Sequence, residues 1–125
     1  MTEREDIEQF IAATFKSVWA LELLSELQRH AGEALSREQM VERLRGSKMV
    51  IANSLATLSA AGLIMIDEQG NASYQPTDAK LDQLVSRTLQ YYLTSPDAVR
   101  RIITAAWNPG IQAFANAFKI RKESD

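Results

Sequence analysis

Cysteine is absent from this 125-residue chain and histidine occurs once, at His30. No disulfide framework or thiolate metal site can form, and a single imidazole cannot anchor an ordinary zinc site. There is no glycine-rich phosphate loop and no histidine-rich metal cluster. Serines and carboxylates are plentiful, but helix caps and solvated surfaces account for their positions, and no nucleophile stands with a base. The expectation is a non-enzyme without cofactor or metal. No apolar run is long enough to cross a bilayer. Met1 to Glu8 is acidic, where a secretory signal would be basic and then apolar, so a cytoplasmic protein without membrane contact is expected. Proline is scarce, and its three occurrences, Pro76, Pro96 and Pro109, each mark the edge of an element.

What is present is an ordinary globular composition, 46% hydrophobic and 24% charged. The length allows one domain with a modest core. The net charge of −2 is unevenly spread. Residues 1–35 are acidic. Residues 36–66 carry Arg37, Arg43, Arg45 and Lys48 against Glu38 and Glu42, a mild positive footprint on an acidic chain.

Periodicity predicts helix from Asp6 to His30, with a break near Ser17 as one reading and a continuous helix as the other. Ser36 and Gln39 form a capping box, with Leu35 and Met40 at the staple positions. The short helix that follows ends at Gly46, read as the tight turn. Ser47 opens a helix whose inward stripe is Ile51, Leu55 and Leu58, and Gly62 has the conformational freedom to end it. Leu63 to Ile66 and Ala72 to Gln75 alternate around a reversal at Asp67–Asn71, and Pro76 is expected to stop further pairing. Three more helices are predicted: one capped by Thr77 or Asp78, one opened by Ser95-Pro96-Asp97, and one opened by Asn108-Pro109. Lys119 to Asp125 reads as a charged tail.

Helix, tight turn, helix and hairpin, behind a longer helix, is the order of a winged helix-turn-helix. Residues 17–76 resemble the core of bacterial transcriptional regulators of the MarR and ArsR kind, through the Val18–His30 helix, the Ser36 cap, the Gly46-Ser47 turn, Leu55-x-x-Leu58-x-x-x-Gly62-Leu63-Ile64, and the hairpin closing on Tyr74 and Pro76. The expected fold is mainly α with a small β-hairpin. In this division, residues 1–16 are a helical extension, 17–76 the core and 77–125 C-terminal helices for dimerisation. The resemblance implies that the helix after the turn reads a major groove, that the hairpin lies along the DNA backbone, and that flanking helices make a homodimer.

With Ile51, Leu55 and Leu58 inward, Met49, Asn53, Ala56, Thr57 and Ala60 face outward, with Lys48 at the edge. Asn53 suits an adenine edge and Met49 a thymine methyl, while Thr57 can donate or accept. Ser36 and Ser47, with the amides of the helix starts, suit phosphates. Arg37, Arg45 and Lys48 add charge, and Asn71 in the hairpin loop completes the candidate set. That face carries no arginine, the commonest specific reader, and Asp67 and Glu68 would repel phosphate. A protein–protein adaptor without DNA readout is therefore the alternative. Trp19, Trp107, Tyr91 and Tyr92 are read as core or dimer packing, with an effector pocket the other reading. His30 is read as a helix-end residue, Glu3, Glu5, Asp6 and Glu8 as a solvated first turn, and Arg100 and Arg101 as a solvated face.

Overall fold

The computed structural model describes residues 3–107, which form six helices and one two-stranded antiparallel sheet. The first two helices are α1 (Glu3–Thr14) and α2 (Val18–Arg29). The break between them is real: Ser17 is extended and its hydroxyl accepts from Ala20 N at 3.2 Å, capping α2. Phe15 in the joint is fully buried and meets Phe10 edge-on at 5.8 Å. Ile7, Ile11 and Phe15 belong to the same core cluster as α2, so the N-terminal helix is part of the core rather than an appendage.

The Ser36 capping box forms as expected, with Ser36 N donating to Gln39 Oε1 at 2.8 Å and Gln39 N to Ser36 Oγ at 3.2 Å. It starts α3 (Arg37–Leu44), while Leu35 and Met40 are buried beside it. The turn to α4 (Lys48–Ala60) differs from expectation. Its left-handed residue is Arg45, at φ 54°, not Gly46. Gly46 serves close packing instead: a Cβ there would stand 3.3 Å from the Trp19 ring.

After α4, Gly62 takes φ 75°, and Leu63 N reaches Leu58 O at 3.1 Å, closing the helix end. Strand β1 (Ile64–Ile66) pairs with β2 (Ala72–Tyr74) in the register Ile64–Tyr74, Met65–Ser73 and Ile66–Ala72. The ladder ends at Ile64–Tyr74, ahead of Pro76, as expected, and only single backbone bonds run on past it. Gln75 N donates to Leu63 O at 3.1 Å and Thr77 N to Gly62 O at 3.0 Å, so the missing proline N–H falls between two bonded positions. Periodicity gave no sign of the pairing on the other edge of β2. There Leu35 and Ala72 exchange both backbone bonds, at 2.8 and 2.9 Å, tying the start of α3 to the hairpin.

Asp78, not Thr77, caps α5 (Ala79–Thr94), accepting from Leu81 N at 2.8 Å. Ser95 then leads into α6 (Pro96–Trp107). The helix expected from Asn108 and the tail from Lys119 lie outside the described residues. Helices α1, α5 and α6 pack on one another, and α2 packs against α4, α3 and β2. Polar ties join the two groups: Tyr92 donates to Glu22, Gln28 to Ser86, and Tyr74 to Asp82 at 2.6 Å. Burial, then the Asp82 hydrogen bond and charge, push the Tyr74 phenol above its ordinary value, and burial followed by Glu22 does the same to Tyr92. Among the described residues no helix is long and apolar enough to cross a membrane.

Candidate nucleic-acid interface

Helix α4 decides what this unit can touch. At about 100° per residue, Ile51, Ser54, Leu55 and Leu58 fall together and are buried. Lys48, Met49, Asn53, Ala56, Ser59 and Ala60 form the exposed arc. Thr57 departs from expectation: with Val50 it stands at the edge of the arc, half-buried, because that flank turns toward Trp19. Ser59 joins the exposed face although it was not among the expected residues. Met49 is 72% exposed, an apolar side chain with no place in the core.

The remaining expected residues divide by what already holds them. Ser36 and Ser47 are both occupied as caps, Ser47 Oγ accepting from Val50 N at 3.1 Å. Their hydroxyls order the helix starts, and the first free amides are what each start offers an anion. Arg37 lies over the hairpin loop with Nε 3.4 Å from Gly70 O. Arg45, Lys48 and Asn53 are exposed and have no side-chain partner among the described residues. Arg43 is withdrawn from the positive cluster that the sequence brings together. Its Nη1 lies 3.0 Å from Glu26 Oε1 and 2.8 Å from His30 Nε2, toward α2. His30 Nε2 also lies 3.3 Å from Glu26 Oε1, and its Nδ1 lies 3.2 Å from Glu33 Oε2.

In the hairpin, Asn71 acts through its backbone. Its N–H donates to Asp67 Oδ1 and its carbonyl accepts from Asp67 N, both at 2.9 Å, closing the loop. Asp67 also accepts from Gln69 N at 2.9 Å. The acid that looked out of place beside phosphate is thus the residue that folds the loop.

Two clefts border the arc. One, of about 380 Å³, lies on the Lys48 flank against α3 and is lined by Arg37, Glu38, Val41, Glu42, Lys48 and Ile51. The other, of about 490 Å³, lies on the opposite flank, where Lys16, Ser17 and Trp19 face Asn53, Ser54 and Thr57 across the α1–α2 joint. The sequence signal for this second wall was there, in Ser17 as a cap and Trp19 in the first turn of α2, but periodicity does not say which helix a residue faces. Of the other aromatics, Trp107 donates to Ala12 O at 2.6 Å, and Arg4 and Arg100 stand over Tyr91 and Tyr92 at 4.8 and 5.8 Å. These rings join helices, as packing residues do.

Comparison with protein-family models, curated proteins and solved structures found no match for this chain.

Proposed function

We propose that the chain is a winged helix-turn-helix regulator, of the MarR and ArsR kind, that binds double-stranded DNA as a cytoplasmic homodimer. The observation that carries this reading is the exposed arc of α4, whose Lys48 and Asn53 have no side-chain partner among the described residues. Such an arc, on a helix held from behind by α2 and α3, has the form that enters a major groove. Arg37 at the hairpin and Arg45 at the turn supply charge beside it. The pairing of Leu35 with β2 adds support, because it sets the hairpin rigidly next to α3. Helices α1, α5 and α6 serve as the dimer-forming part, with Leu93 on α5 77% exposed. Two-fold symmetry then calls for half-sites about one helical turn apart.

The test is a fluorescence-anisotropy titration of genomic DNA fragments across a salt series, with sedimentation to give the oligomeric state. Affinity should fall steeply as salt rises. Asn53→Ala with Lys48→Ala should abolish preference among fragments while the helical circular dichroism is kept. Absence of salt-dependent binding would end the proposal. The exposure of Met49, with Ala56 and Ala60 beside it and no guanidinium on the arc, favours a protein-binding adaptor as the second reading. It would be supported by a protein partner whose binding Met49→Lys removes, in a chain silent toward DNA.

A further inference from the structure

We propose that the cleft between the α1–α2 joint and α4 is a phosphate-holding edge for the duplex, with Lys16 and the N-terminus of α2 gripping the backbone on the flank of α4 away from Arg37. The inference rests on the duplex reading above and assigns residues that the sequence pattern left out.

Charge is the first ground. Among the described residues Lys16 is the only charged one lining this cleft, whereas on the other flank Arg37 and Lys48 are offset by Glu38 and Glu42. Its ammonium lies 5.5 Å over the Trp107 ring and has no carboxylate partner among the described residues. The second ground is the start of α2. Ser17 occupies the amide of Ala20, leaving the amides of Val18 and Trp19 without helical partners, and the first turn carries no acid to offset them. The third is independent of both. Ser54 is 3% exposed, lines the cleft, and its hydroxyl has no hydrogen-bond partner among the described residues. A hydroxyl that faces a cleft bonds to whatever enters it, water or a phosphate oxygen.

Geometry then selects a backbone rather than a free ion. Asn53 belongs both to the exposed arc and to the cleft wall. A duplex seated on the arc would therefore carry one strand's phosphates past Lys16. The Trp19 ring, 40% exposed at the mouth, offers an apolar surface to a sugar.

The experiment uses the full chain and a short fluorescein-labelled duplex of mixed sequence, titrated by anisotropy at several salt concentrations. Lys16→Gln should weaken binding several-fold at low salt. It should also make the slope of log affinity against log salt shallower by about one, equally for all sequences. Lys16→Arg should restore both, and matched melting curves should show intact folding. Duplex should quench tryptophan emission more in the parent chain than in Trp19→Phe, where only Trp107, under the Lys16 ammonium, remains. If Lys16→Gln leaves slope and affinity unchanged while Lys48→Gln weakens binding, this inference falls and the duplex reading stands. Quenching by inorganic phosphate with no effect of Lys16→Gln on duplex would also overturn it. A parent chain that binds no duplex overturns both.

Discussion

Replacing Gly62 with alanine tests how α4 is joined to the sheet. Gly62 has φ 75°, a region that costs an L-residue about 1–2 kcal/mol. A Cβ there would also stand 3.1 Å from Thr77 Cγ2 and 3.3 Å from its Oγ1, so Thr77 must give by a few tenths of an ångström. Against these costs, alanine lowers the entropy of the unfolded chain, a gain of about 0.4–1 kcal/mol. The balance is a loss of roughly 1 kcal/mol, or roughly 3–6 °C in melting temperature. Urea unfolding should show a lower midpoint with an unchanged slope. Thr77→Ser removes Cγ2 and should recover only the steric part, because the backbone cost remains. A neutral or stabilised Gly62→Ala, or full recovery with Thr77→Ser, would refute the reasoning.

Two other outcomes follow from the packing and the titrating groups. Phe15→Ala removes a fully buried ring at the α1–α2 joint and should cost about 3–5 kcal/mol by chemical denaturation; a loss under 1 kcal/mol would mean that α1 is a loose extension. The raised phenols of Tyr74 and Tyr92 hold their protons longer when folded, so their contribution is complete below the unfolded value of about 10 and is lost as pH rises through the folded one. Stability should therefore decline above about pH 10. The decline should be smaller in Tyr74→Phe, and an identical alkaline profile would count against the Tyr74–Asp82 bond.

Local chemistry made much of the fold legible. The Ser36 box, the Ser17 and Ser47 caps, the Gly62 helix end and the Asp67–Asn71 reversal depend on contacts within a few residues, and a linear pattern carries those. The inward stripe of α4 was legible for the same reason, since helical geometry sets it. The turn at Arg45 was misread because glycine is the usual left-handed residue, while here the Trp19 ring, distant in sequence, needs the space at Gly46.

The sequence by itself determined which segments are helical, where the chain reverses and which face of α4 is apolar, because capping, turn chemistry and periodicity act over one or two helical turns. Tertiary structure alone decided that Leu35 would join the sheet, that Arg43 would turn to Glu26 and His30, and that Lys16 and Trp19 would wall a cleft beside Asn53. Each of these joins residues far apart along the chain. Their meeting is set by how whole helices pack, which no local pattern encodes.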